Sequence, residues 1–214
     1  MDTGTAARID AAGAELAADV TVPEGARGVV LFAHGSGSSR HSPRNRMVAG
    51  RLQERGLATV LADLLTAEEE ARDALTGELR FDIGLLAGRV TGMVDWAGTA
   101  ERLRDLPVGL FGASTGAAAA LVAAAERPGV VRAVVSRGGR PDLAGDALSR
   151  VRAPTLLIVG GEDHQVVALN RDAADAIAGP VELHLVPGAT HLFEEPGALQ
   201  EVAERAAQWF ETHL

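Results

Sequence analysis

The sequence predicts an α/β fold: a mostly parallel central sheet flanked by helices, with no large lid domain. Three observations carry that expectation. Five short segments are apolar almost throughout, as strands buried on both faces must be. Helix-period segments lie between them, so strand and helix alternate along the chain. A length of 214 residues, 47% hydrophobic and 23% charged, suits one globular unit with a sizeable core. No repeat or low-complexity linker interrupts the pattern, so a single domain over 1–214 is expected.

The elements follow in order. A piece near 16–22 is expected as an edge strand. Residues 28–34 (GVVLFAH) form the first buried strand, and 44–54, with Met47, Val48 and Leu52, a helix. The second buried strand is 58–63 (ATVLAD). The stretch 64–81 is the only long excursion before a helix and is expected to form a small cover over the site. Residues 81–96 repeat Ile83, Leu86, Val90, Met93 and Val94 at helix period. The strand 108–114 (VGLFGAS) leads into 115–126, which is rich in Ala, the best helix former. Strands follow at 131–136 (VRAVVS) and 154–160 (PTLLIVG), then a helix at 164–177. The segment 181–186 (VELHLV) alternates, so one face is wetter and the strand belongs near the sheet edge. A helix at 200–213 ends the chain. Aromatics are only 3% of residues, so Ala, Val, Leu and Ile must build most of the core.

Composition closes off much chemistry. Twenty basic residues against 29 acidic ones give a formal charge of −9, a poor match for nucleic acid. All the basic residues are Arg, so Lys Schiff bases and a P-loop Lys are excluded. There is no Cys and no Tyr, which removes thiolate metal sites, thiol nucleophiles and a Tyr general acid. The longest apolar stretch, 117–125, is too short to span a bilayer, and no signal core is visible near the N-terminus. A cytoplasmic protein without membrane partners is expected; its oligomeric state is not readable.

Open α/β sheets bind ligands at the carboxyl ends of their strands. Just after the strand at 108–114 stands Gly112-Ala113-Ser114-Thr115-Gly116, a G-x-S-x-G string. It describes a tight strand-to-helix turn with Ser114 at the apex. The flanking glycines keep neighbouring backbone from colliding with the turn. The Thr115 N–H then lies at a helix N-terminus, where an anionic oxygen is stabilised. A bland alternative is a Ser that merely caps the helix.

A nucleophilic Ser needs a base, and the base an orienter. His191 (in GATH) follows the strand at 181–186, and Asp163 (in GGED) follows the strand at 154–160. The order Ser, Asp, His is one of the known triad orders. Glu162 and Asp142 compete for the acid role. His184 lies within a strand, His213 at the C-terminus, and His164 opens a helix. His34 reads as a structural residue and His41 as a solvated one. After the first buried strand, the small-residue turn His34-Gly35-Ser36-Gly37-Ser38-Ser39 exposes backbone N–H groups. Ser36 N–H is expected to share an oxyanion with Thr115 N–H. No G-x-G-x-x-G occurs, which argues against a dinucleotide site.

With these motifs in place, the chain resembles the α/β-hydrolases, and within them the dienelactone hydrolase-like group. The resemblance covers nearly the whole chain: HGSGSSR at 34–40, GASTG at 112–116, SRGGRPD at 136–142, GGED at 160–163 and GATH at 188–191. It implies a triad of Ser114, Asp163 and His191, oxyanion donors at Ser36 and Thr115, and a cofactor-free hydrolase acting through an acyl-enzyme. Dienelactone hydrolases proper use a Cys nucleophile. This chain has Ser114 and no Cys, so the dienelactone substrate does not carry over. Some relatives of this Ser-type branch look fused to phosphoribosyltransferase domains; the 214 residues here are expected to be used up by the hydrolase.

The expected function is therefore a serine hydrolase that cleaves an ester, thioester or lactone of a small molecule. The rival reading is a non-catalytic scaffold that binds a ligand or partner in the same cleft, since fold alone does not establish chemistry. Arg40, Arg44 and Arg137 stand at the presumed site edge as candidate clamps for a substrate carboxylate, with pairing to nearby acids as the alternative. No metal site is expected. The best cluster, His191 with Glu194 and Glu195, lacks a second His.

Overall fold

The computed structural model describes residues 4–214. Its centre is an eight-stranded sheet in the order β1-β2-β4-β3-β5-β6-β7-β8. The strands are β1 (Thr5–Ala11), β2 (Ala14–Thr21), β3 (Val29–Ala33), β4 (Ala58–Ala62), β5 (Val108–Ala113), β6 (Val131–Arg137), β7 (Thr155–Gly160) and β8 (Val181–Val186). From β3 to β8 all neighbours are parallel; β1 and β2 pair antiparallel, and β2 is antiparallel to β4. The mixed α/β class, the helix-flanked sheet and the edge position of 181–186 agree with the sequence reading.

The strand β1 was not expected. Only Ile9 and Ala11 of its seven residues are fully sunk in the core, so its pattern is faint. The turn that makes it a hairpin is Ala12-Gly13, with φ of 49° and 74°. Two successive positive φ values match the twist of a two-residue hairpin, but Ala is a poor advertisement for such a turn.

Two helical layers cover the sheet. On one face lie α1 (Pro43–Glu54) and α6 (Ala198–His213); on the other lie α3 (Ile83–Ala97), α4 (Thr115–Glu126) and most of α5 (His164–Ala176). The central strands feed both. Val29, Leu31 and Ala33 of β3 join the α3/α4 core, while Val30 and Phe32 join the α1/α6 core. This is why those strands read as apolar without alternation. In α4 the run Ala117–Leu121 is entirely buried, because small side chains let the helix lie close to both the sheet and α3. Three aromatics sit at the centre: Phe32 and Phe111 pack with tilted rings, centroids 4.9 Å apart, and Phe210 is fully buried.

Local signals set the helix ends. Ser42 Oγ accepts from Asn45 N–H and Pro43 opens α1, which places the start one residue before the expected 44. The excursion 64–81 holds a short helix, α2 (Ala67–Thr76), begun by a capping box between Thr66 and Glu69. A 3-10 segment, Pro141–Arg150, links β6 to β7.

The topology fixes where chemistry can occur. The chain leaves β3 toward β4 on one side and later returns to β5 on the other. The carboxyl ends of β3 and β5 therefore diverge at a switch point, where open sheets leave a crevice.

Candidate active site

Ser114 sits at that crevice. It ends β5 and caps α4 with φ 50° and ψ −121°, a left-handed conformation that a non-Gly residue adopts only under constraint. The constraint is the close approach of three elements. A Cβ on Gly116 would lie 2.2 Å from Ala33 O, and one on Gly112 would lie 2.4 Å from Ala117 Cα. The glycines thus let the turn wedge between β3 and α4. Ser114 makes no capping bond to its own helix, so the plain-cap reading does not describe it.

His191 and Asp163 arrive from β8 and β7. His191 Nδ1–H donates to Asp163 Oδ2 at 2.7 Å, and the carboxylate is only 16% exposed. Asp163 caps α5 in sequence, yet its side chain makes no cap bond. The loop carrying His191 is pinned from below. Thr190 donates to Glu195 through both N–H (3.1 Å) and Oγ1 (2.6 Å), and Phe193, at φ 56°, plugs the α1/α6 core. The competing acid, Asp142, is instead held by Arg140 through two bonds of 2.9 and 2.7 Å. Glu195 is likewise engaged with Thr190, and no group of three potential metal ligands occurs among the described residues.

Ser114 and His191 line one cavity of about 250 Å³ with Ser36, Asn45, Arg44 and Arg137. No hydrogen bond joins the Ser114 hydroxyl to the imidazole; such contacts often tighten only when substrate is bound. The expected oxyanion donors differ from one another. Thr115 N–H, first in α4, carries no hydrogen bond. Ser36 N–H donates to Thr115 Oγ1 at 3.0 Å, so this donor is already committed within the protein.

His34 is structural, as its sequence position suggested. Its Nδ1–H donates to Gly35 O (2.9 Å) and its Nε2 accepts from Leu64 N–H (3.0 Å), tying the turn after β3 to the chain after β4. Burial pushes its pKa below the usual imidazole value.

The three candidate clamps part company. Arg40 is a correction: its backbone N–H and guanidinium are both taken by Asp63, with Asp19 3.7 Å away, and it does not line the cavity. Nearby carboxylates neutralised it, a pairing that local sequence could not reveal. Arg44 and Arg137 do line the cavity. The sequence reading missed Asn45, which is 2% exposed with its Oδ1 unpartnered. Its place in the first turn of α1, after the carboxyl end of β3, was the available signal.

The family model of the dienelactone hydrolase family matches residues 16–214. A crystal structure of dienelactone hydrolase from Anabaena variabilis is 57% identical, covers 99% of this chain and 98% of its own, and superposes with a TM-score of 0.97. Est1E from Butyrivibrio proteoclasticus shares the fold at a TM-score of 0.81 and 17% identity, over 98% of each chain. XC6422 from Xanthomonas campestris, described as an α/β serine hydrolase without lid, shares it at 0.76 and 20%, over 99% of this chain and 95% of its own. A Mycobacterium tuberculosis protein carrying the name "Putative phosphoribosyl transferase Rv0571c" is 60% identical over 199 residues. That match takes in 93% of this chain but only 44% of the relative, so the chain spans less than half of its length. No described helix is long and apolar enough to cross a membrane. By both the sequence match and the superposition, this chain is a member of the dienelactone hydrolase family, with the α/β-hydrolase fold.

Proposed function

We propose that the chain is a serine hydrolase that cleaves a carboxylic ester-type bond of a small molecule through an acyl-enzyme on Ser114. The observation that carries this reading is the 2.7 Å bond from His191 Nδ1–H to Asp163, which leaves Nε2 as the unprotonated base in the cavity shared with Ser114. His191 Nε2 takes the hydroxyl proton as Ser114 Oγ attacks the carbonyl carbon. Thr115 N–H meets the developing oxyanion, joined by Ser36 N–H once the Thr115 hydroxyl turns aside. Collapse expels the alcohol or thiol, which receives the proton from His191. Water then gives a proton to Nε2 and attacks the acyl carbon, and collapse returns the acid and free Ser114. Asp163 holds the imidazole tautomer throughout.

We assign any phosphoribosyl transfer by the mycobacterial relative to the part this chain does not match, because the matched residues are taken up by the hydrolase sheet and its helices.

The test is a pre-steady-state assay with 4-nitrophenyl acetate. A burst of one 4-nitrophenol per chain, absent in Ser114→Ala, is expected. A wild-type rate equal to that of Ser114→Ala would overturn the reading in favour of a binding scaffold.

A further inference from the structure

The cavity beside Ser114 is electrostatically unlike the rest of the molecule. The chain carries 29 acidic residues, yet among the described residues no carboxylate lines this cavity, while two guanidinium groups do. Arg137, the last residue of β6, is 8% exposed, and its Nε and Nη1 are buried without a hydrogen-bond partner. Among the described residues no carboxylate offsets it: burial depresses its pKa to about 10, and Arg44, of like sign, acts in the same direction. It therefore stays cationic at neutral pH. Arg44 reaches the cavity from the first turn of α1. Its own Nε is also buried and unpartnered, and among the described residues its counter-charge is Glu194 alone, 3.5 Å away and 69% exposed. A contact that open is weakly held.

A buried cation without a partner is costly, and a guanidinium leaves several directed donors unmet. The neighbouring side chains do not meet them. Asn45 has its Oδ1 unpartnered in the same cavity, and Ser42 Oγ is already committed to the helix cap. An anionic oxygen group would meet these donors.

We infer that Arg137, with Arg44, is the specificity site of this hydrolase and receives an anionic oxygen group, carboxylate or phosphate, carried by the ester substrate. The inference rests on the serine hydrolase reading and deepens it. Arg137 would hold the anion in a fork geometry within a site of low dielectric, and Arg44 would close over it from the rim. A neutral ester leaves Arg137 unpaired, so binding energy for the anion is available only to a charged substrate.

Two matched ester sets test this. On the leaving-group side, 4-acetoxybenzoate and 4-acetoxyphenyl phosphate are compared with methyl 4-acetoxybenzoate. On the acyl side, the 4-nitrophenyl monoester of adipic acid is compared with its methyl ester. In wild type at least one anionic ester is expected to exceed its neutral partner by about tenfold or more in kcat/KM, the scale of one charge-assisted bond. The phosphate and carboxylate arms assign the group. In Arg137→Met, with folding checked by circular dichroism, that ratio is expected to collapse to near unity; Arg44→Gln is expected to lower it by roughly threefold, since this cation is more exposed. A binding arm does not depend on turnover. At fixed ionic strength, inorganic phosphate or succinate is expected to raise the wild-type Tm and not that of Arg137→Met. A wild type that shows the acyl-enzyme burst but no preference in either ester set would overturn the anion site while leaving the hydrolase standing. If the burst fails, the hydrolase reading falls. A Tm shift confined to wild type would then still support the anion site, and its absence would overturn that too.

Discussion

Arg51 and Arg55 at the C-terminal end of α1 and Arg44 at its N-terminal end have their positive charge met in opposite ways. At the C-terminal end, Arg51 and Arg55 are saturated with carboxylates: Arg51 meets Glu204 (2.7 Å) and Glu54 (2.9 Å), and Arg55 meets Glu204 (2.6 Å) and Glu211 (2.8 Å). The pairs to Glu204 and Glu211 stitch α1 to α6. At the N-terminal end, Arg46 is paired with Asp19 (2.7 Å), but Arg44 faces a second arginine across the cavity and, among the described residues, meets only an exposed glutamate. The same residue type on one helix is scaffold at one end and unsatisfied at the other. Along the seam between α1 and α6 the cations are neutralised. Beside Ser114 they are not, and a strained serine, a Thr115 N–H without a partner and an orphaned Arg137 gather in the same place. Sites where local rules fail together are where function is expected.

The largest effects should separate chemistry from scaffold. Ser114→Ala and His191→Ala are each expected to remove esterase turnover, by up to roughly 10⁶ in kcat, with unchanged thermal unfolding. Asp163→Asn keeps the shape of the orienting group but allows the wrong tautomer, so a fall of up to roughly 10⁴ in kcat is expected. A loss under about tenfold would remove Asp163 from that role. Gly116→Ala crosses the line between the two regions. Its Cβ would be driven against Ala33 O, so α4 and β3 must part, at about 3 kcal/mol in denaturant unfolding, and activity is lost with it.

Smaller effects sharpen the contrast itself. Arg137→Met removes a buried charge with no partner and is expected to stabilise the fold by about 1–2 kcal/mol in urea titration, against loss of function. Arg55→Met should lower Tm, because it breaks two paired contacts. A rise for Arg55→Met or a fall for Arg137→Met would erase the distinction drawn between the two ends. His34 gives a pH test. Its folded pKa lies below the unfolded value near 6.5, so between the two the unfolded chain binds the extra proton. Stability is then expected to rise with pH, and to fall as pH drops through 6.5, with a slope of at most about 1.4 kcal/mol per pH unit. His34→Gln should flatten that part of the profile.

Much of this was legible in the chain itself. The strands β3, β5 and β7 are covered on both sides, and such strands read as unbroken apolar runs. Ser114, Asp163 and His191 each follow a strand in triad order, and the fold brings the last two together at 2.7 Å. What escaped depends on distant partners. Strand β1 presents mostly Ala and polar residues, and only its pairing with β2 makes it a strand. Arg40 and Arg137 look alike in sequence, but Asp63 and Asp19 meet one and no carboxylate meets the other. The Thr115 hydroxyl finds Ser36 N–H across a separation of 79 residues, which no local pattern announces.

The central claim is that Ser114 is an activated nucleophile in this fold. It is tested most directly by intact mass after treatment with a fluorophosphonate, on wild type and Ser114→Ala. One adduct per chain on wild type, and none on Ser114→Ala, is the predicted result. A folded wild type that takes no adduct, or a Ser114→Ala protein labelled as fast as wild type, would contradict it.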